Sequence, residues 1–476
     1  MRRLLVAAVA IAVFAIAPAT AAPATTGSSS IPFQARIGHI LGMIPPLDLT
    51  SASNGQVSNS APASGSLYYN GGPVMTTSTV YTIYWQPPGY QFPSGYVNNL
   101  NQYFKDLQAT SGKNTNTYIN GTQYYQQSSN GTKQYVQYKT TLAGTTLDSN
   151  ALPPLDPVNC PDTAFAADNG PPNPPSTTAG CVTDSQLQQE ISAVVKAKGW
   201  PVNNNTEFFM YTAPDIGTCF PAQLGVGQGG VGTTATVPLC SFEYFCAYHS
   251  AYFDSTVNAN SQIIYSNMPY DAQTAGNPLT CDVQDYPNGN PSDPEVSTTS
   301  HEHNESITDP FGTGWWDSNP NDSASGDENG DMCAYDFGTT TGPANAEWDQ
   351  TINGHHYLMQ LEWSNAYNGC PGSDANGNPV AGQPNYDTPG ISLTPNSGYG
   401  TAPFKIFGEF FSVGDNVASS FTDAGTKTAL GSAAANASGQ FSLMTKVPAK
   451  AAPGTATVTS AGKSGSASAA FTVPSP

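Results

Sequence analysis

The chain has 476 residues, only 10% of them charged, and its 34 acidic residues outnumber 14 basic ones for a formal net charge of −20. That balance argues against nucleic acid as a partner, because phosphates need a basic surface. Its 46 glycines and 40 prolines point to a chain of short strands and many turns.

Residues 1–21 read as a secretory signal peptide: Arg2 and Arg3, an apolar run from Leu4 to Ala17, then Ala19-Thr20-Ala21 for cleavage after Ala21. Once those two arginines leave, the mature net charge is −22. No later run approaches the roughly 20 apolar residues of a membrane span. The expectation is an exported, extracellular protein with no membrane span. In that setting the cysteines read as disulfide partners: Cys160, Cys181, Cys219, Cys240, Cys246, Cys281, Cys333 and Cys370. The short Cys160–Cys181 loop and the late pair Cys333 and Cys370 are the favoured bridges. Spacing leaves the full connectivity open.

Residues 22–64 read as a linker or pro-segment, although "IPFQARIGHILGMIPP" within it is apolar enough to dock on a main domain. Residues 65–372 read as that domain. "STVYTIYWQP" is β-branched and aromatic, a buried strand. "GYVNNLNQYFKDLQ" places Tyr96, Leu100, Tyr103, Phe104 and Leu107 at helical spacing. "YINGTQYYQQSSNGTKQYVQYKT" carries two Asn-Gly turns and reads as hairpins. "TDSQLQQEISAVVKAKGWP" predicts a helix, with a capping box from Thr183 and Gln186 and a stop at Gly199. "TEFFMYTAP" follows as a strand. The core is therefore expected to be a mixed α/β or α+β domain. A Pro-, Gly- and Asn-rich linker spans 373–387, and 388–476 reads as an all-β sandwich. This tail resembles the small Ig-like modules appended to many bacterial secreted proteins.

The chemistry concentrates in "HEHNESITDP", His301 to Pro310. It opens like the zinc-peptidase signature His-Glu-x-x-His, with Glu305 at the second histidine. Asp293 and Pro294 make a helix start, and Pro310 forces an end near Asp309. Val296, Ser300, His303 and Ile307 would share a core-facing side. His301 and Glu305 are four apart, so both can reach one cation, and Glu302 stands where the signature holds its general base. A third ligand would come from "GDENGDMC", first Glu328, then Asp331, or from His249 in "CAYHSAY". The ion would be zinc, with calcium the alternative, since Asp317, Asn319, Asn321 and Glu328 also trace a loose calcium loop, in which Asp322 stands at the required glycine. His355 and His356 are adjacent on a strand, so only one could face inward. Trp315 and Trp316 fit either a substrate groove or the core. The bland reading of each piece is a packed histidine and a solvated acidic loop.

The segments "GGPVMTTSTVYTIYWQP", "GWPVNNNTEFFMYTAPDI", "FCAYHSAY", "SHEHNESITDP", "GDENGDMC" and "TINGHHYLMQLEWSNAYNGC" resemble, in order, the secreted EXORDIUM or phosphate-induced protein family of plants and its bacterial relatives. The likeness covers roughly residues 65–370. It implies a site of His301, Glu302, Glu305, Glu328, Asp331 and Cys333, with His249 and Cys246. The family usually carries basic residues at His355 and His356, and the tail is not part of the plant pattern. Plant members are associated with cell walls and growth responses. Two functions are expected to compete: a secreted metal-dependent, peptidase-like hydrolase, and a non-catalytic binder of cell-wall polymer with a structural metal.

Overall fold

In the computed structural model the described residues are 37, 39–47, 66–113, 115–161, 180–224, 235–274, 279–319, 325–365, 369–372, 389–409, 411, 415–436, 440–462 and 465–475. The expected signal peptide, most of residues 22–64 and the 373–387 linker lie outside them. At the centre is a six-stranded mixed sheet. Its strands are β1 (Ile40–Ile44), β2 (Ser78–Trp85), β3 (Thr140–Asp148), β4 (Thr206–Thr212), β5 (Ala247–Tyr252) and β6 (Ile263–Met268), in the order β1-β5-β6-β4-β2-β3. The four strands β6, β4, β2 and β3 run parallel, and β5 and β1 close one edge antiparallel. Strands β4, "TEFFMYT", and β6, "IIYSNM", are buried along their whole length, as strands covered on both faces are.

Among the described residues three α-helices pack against the sheet: α1 (Tyr96–Thr110), α2 (Asp184–Lys198) and α3 (Asp293–Thr308). The stripe expected on α1, Tyr96, Leu100, Tyr103, Phe104 and Leu107, is fully buried. Helix α2 begins in the Thr183–Gln186 capping box and ends at Gly199, whose φ of 65° only glycine adopts freely. Alternation along the strands sorts the layers. Tyr248 on β5 and Tyr265 on β6 donate hydroxyl hydrogen bonds to Asp184 of α2. On the opposite face Tyr211 meets Thr299 of α3, and Phe209 packs edge-on against His303 of α3.

Three local expectations change. The segment 40–44 is no linker; "ILGMI" is five buried residues paired to β5, because an apolar run beside an open sheet edge gains both burial and a ladder. Only the second Asn-Gly, Asn130-Gly131, closes a hairpin, between the strands Tyr125–Gln127 and Lys133–Tyr135. The first falls in a 3-10 turn, Thr117–Gln123, capped by Asn116, which holds Tyr118 under α3. Helix α3 is buried on every side, not along one face. Its N-cap is Ser292; Asp293 is the first helical residue, and its carboxylate accepts from the backbone N–H groups of Asn288 and Asn290.

The tail forms two antiparallel sheets. One orders Gly390–Thr394, Pro403–Glu409 and Phe441–Lys446; the other orders Thr426–Ala434, Asn416–Asp423, Gly454–Gly462 and Gly465–Val473. They share an apolar cluster that includes Phe404, Ile406, Phe421, Phe441, Val458 and Phe471.

All eight cysteines are bridged: Cys160–Cys181, Cys219–Cys240, Cys246–Cys281 and Cys333–Cys370. Both bridges favoured from sequence are among them. Among the described residues no helix is long and apolar enough to cross a membrane.

Candidate metal centre

Helix α3 reads "DPEVSTTSHEHNESIT", with only Pro294, Val296 and Ile307 apolar, yet all of it is buried. A buried polar group left without a hydrogen bond costs about 1–3 kcal/mol, so each side chain needs a partner. Most have one. Glu295 accepts from the Tyr96 hydroxyl at 2.9 Å and from the Asp271 N–H at 3.0 Å. His303 sits between the hydroxyls of Ser78 at 2.5 Å and Tyr118 at 2.9 Å, and burial drives its pKa down to about 3, so it stays neutral. Asn304 donates to the Ser300 carbonyl at 2.9 Å, and Thr308 to Asn329 at 3.1 Å. Apart from Ser306 Oγ and one oxygen of Glu295, the exceptions gather in one place. Both ring nitrogens of His301, both oxygens of Glu302 and Oε2 of Glu305 make no hydrogen bond, and neither do the facing Nδ1 of His249 and Oδ1 of Asp331.

These atoms come from three directions. His249 points down from β5, His301, Glu302 and Glu305 rise from α3, and Asp331 opens a 3-10 turn, Asp331–Cys333, fastened by the Cys333–Cys370 bridge. His249 Nδ1 lies 3.4 Å from Glu302 Oε2 and 3.6 Å from Glu305 Oε2. His301 Nε2 lies 3.1 Å from Glu305 Oε1 and 3.5 Å from Asp331 Oδ1. Two ligands about 2.0–2.1 Å from a tetrahedral zinc are ~3.3 Å from each other, the edge of the coordination polyhedron. The observed spacings bracket that edge. The four principal side chains, His249, His301, Glu302 and Glu305, are 0% exposed.

Two glycines make room for Glu305. Strand β1 bulges between Leu41 and Ile44, and Gly42 in the bulge has φ +50°. A Cβ there would lie 1.7 Å from Glu305 Oε2 and 2.7 Å from His249 Nδ1. On the other side a Cβ at Gly330 would lie 2.8 Å from both Glu305 Oε1 and His301 Nδ1. Strand β1 therefore roofs the centre. His39 pairs with Asp184 at 3.1 Å at one end of it, and the Pro45 carbonyl takes the Tyr335 hydroxyl at the other.

Burial alone would lower the histidine pKa values, but the carboxylates outweigh it. His249 rises to about 10 beside Glu302 and Glu305, and His301 rises well above its usual value beside Glu305 and Asp331. Glu305 is pushed up by burial but pulled further down, to about 2, by His301 and His249. Burial raises Glu302 to about 8 and Asp331 to about 6. In the protein alone the two imidazoles thus hold protons that a cation must displace. Affinity for Zn²⁺ should therefore climb with pH between 6 and 9, by about tenfold per unit for each proton displaced. Calorimetric titration at pH 6.5 and 7.5, in two buffers of different ionisation enthalpy, measures both the slope and the protons released. An affinity indifferent to pH would contradict this charge arrangement.

The other sequence candidates fall as follows. Glu328, ranked above Asp331 from sequence, is buried with Oε2 3.4 Å from Nε2 of His249, the ring nitrogen that also donates to the Asp309 carbonyl at 3.2 Å. Asp331, not Glu328, shares the α3 cluster, because the Glu328 N–H donates to Asp331 Oδ2 and sets that carboxyl toward His301. His355 is half-exposed and pairs with Asp106 at 2.8 Å, while His356 stacks on Trp348 at 4.0 Å, so neither reaches the centre. Trp315 is a core residue among Tyr69, Tyr124 and Tyr125. Cys246 and Cys333 are disulfide-bonded. The calcium-loop reading runs through Asn321 and Asp322, outside the described residues. Sequence reasoning missed Gly42, Gly330 and Glu362, a buried carboxylate that takes a hydrogen bond from Asn304 at 3.3 Å. A lone glycine in "HILGMI" was the available signal for a bulge or a close backbone approach.

No protein-family model matches the chain, and no curated protein matches it. Among solved structures it is similar to macromomycin, at 19% identity over 18% of this chain and 99% of that one, with a TM-score of 0.15.

Proposed function

We propose that this chain is an exported metal-dependent hydrolase, peptidase-like in chemistry, with the α3 cluster as its centre. The observation that carries the reading is the set of buried, converging nitrogen and oxygen atoms without hydrogen bonds on His249, His301, Glu302, Glu305 and Asp331. Mixed imidazole and carboxylate donors suit zinc better than calcium, which prefers oxygen alone. A bound zinc would polarise a peptide carbonyl and make a water more acidic. Glu302 would take a proton from that water as its oxygen bonds to the carbonyl carbon. When the C–N bond breaks, Glu302 would return the proton to the departing amine. Strand β1 shields the centre, so peptide reaches it only when that strand moves. The motifs shared with the EXORDIUM family support an extracellular, wall-associated setting, and the all-β tail fits an Ig-like spacer or binder.

One observation favours the second reading, a cell-wall binding protein with a structural cation: four of the five ligands, His249, His301, Glu302 and Glu305, have no exposure at all. Metal content separates the readings. Protein purified without a tag and analysed by inductively coupled plasma mass spectrometry should carry zinc, and His301→Ala should carry less. Calcium in place of zinc favours the binder. Absence of any bound metal sinks both.

A further inference from the structure

We infer that the centre is built for two cations bridged by Glu305. This rests on the metal-centre reading above and adds the number of ions and the role of one residue. The converging atoms form two groups: His249, Glu302 and Glu305, and His301, Glu305 and Asp331. Glu305 is common to both, and it uses a different oxygen in each. Oε2 faces His249 Nδ1 at 3.6 Å; Oε1 faces His301 Nε2 at 3.1 Å. The two oxygens of one carboxylate diverge, so the groups open on opposite sides of Glu305. Bridging of this kind holds two metals about 3.5–4 Å apart.

The glycines support the same division. Gly42 lies against the Oε2 side and Gly330 against the Oε1 side, so backbone without side chains flanks Glu305 at both ends. Each group supplies one imidazole and two carboxylates, an incomplete donor set of the sort that leaves a position for water. His249 also turns its second nitrogen to the Asp309 carbonyl at 3.2 Å, the outer contact that orients a ligating imidazole.

Charge points the same way. Glu302, Glu305, Glu328 and Asp331 bring four carboxylates into this buried region. A second divalent ion offsets more of this buried negative charge than one ion can, and uncompensated buried charge is costly. Glu302 then serves the second cation through one oxygen, and the other stays open to a proton.

The test uses the full mature chain, stripped by chelator and reloaded with Mn²⁺. Two bound equivalents and an exchange-coupled multiline paramagnetic resonance spectrum are expected. One equivalent with an isolated six-line spectrum overturns the two-cation inference and leaves the metal centre standing; no bound Mn²⁺ or Zn²⁺ overturns both. Among variants that keep the wild-type circular dichroism, His249→Ala and His301→Ala should each retain one equivalent, and Glu305→Gln should lose the coupling. A His301→Ala protein that keeps both ions, or a Glu305→Gln protein that keeps the coupled spectrum, removes the bridging role. Wild-type stoichiometry decides the count even if no variant folds.

Discussion

Gly42→Ala should unfold the roof of the centre and strip its metal. An alanine held at φ +50° costs about 1–2 kcal/mol in backbone strain alone. The larger effect is steric, because the new methyl would sit 1.7 Å from Glu305 Oε2. Neither neighbour can give: Glu305 is fixed by the Asp331 N–H at 2.9 Å, and β1 by its ladder to β5. The expected loss of stability is about 3–5 kcal/mol, at the upper end for single substitutions. Gly71→Ala is the matched control, with φ +95° and nothing within 4 Å of a Cβ, so it carries strain without a clash. Thermal unfolding and metal analysis of the two variants separate the contributions. Equal melting temperatures would mean that β1 does not press on Glu305.

Glu302→Gln should reduce hydrolysis of a denatured protein substrate by about 10²–10⁴-fold, the usual contribution of a positioned proton acceptor. The amide has nearly the shape of the carboxyl, and both Glu302 oxygens lack hydrogen bonds, so the change disturbs little packing. The cation group of His301, Glu305 and Asp331 does not include Glu302, so metal there should persist. His301→Ala should lose one equivalent of metal, from the group it belongs to, together with the activity. If wild type hydrolyses its substrate and Glu302→Gln does so at the same rate, then Glu302 is not the proton acceptor and the hydrolysis does not arise at the α3 centre as proposed.

The parts of this structure that were legible in the sequence are those set by local rules. The α2 capping box, the apolar stripe of α1 and the strand in "TEFFMYT" depend on neighbours within a few residues. The i, i+4 pair His301 and Glu305 was legible for the same reason. The burial of α3 was not, since a polar helix reads as a surface helix unless the chains around it are known. Only the tertiary structure shows Tyr96, Ser78, Tyr118 and Tyr211 arriving to satisfy it. The order of Glu328 and Asp331 was equally hidden, because it turns on one backbone hydrogen bond in an irregular segment. The docking of "HILGMIPP" was foreseen as an apolar contact, but its place in the sheet depends on an open edge at β5, some 200 residues away.

That placement has a consequence in time. Strand β1 is an edge strand, hydrogen-bonded on one side only, and it lies over the centre. Ligand geometry would set how tightly an ion is held there at equilibrium, but how long it stayed would be set by how often β1 peels from β5. Such local opening proceeds at its own free energy, below that of global unfolding. A chelator in solution would then wait for the strand, and adding more chelator would not hasten release. The residence time of a bound ion would then be set by the pairing of five residues, Ile40–Ile44, none of which carries a charged side chain.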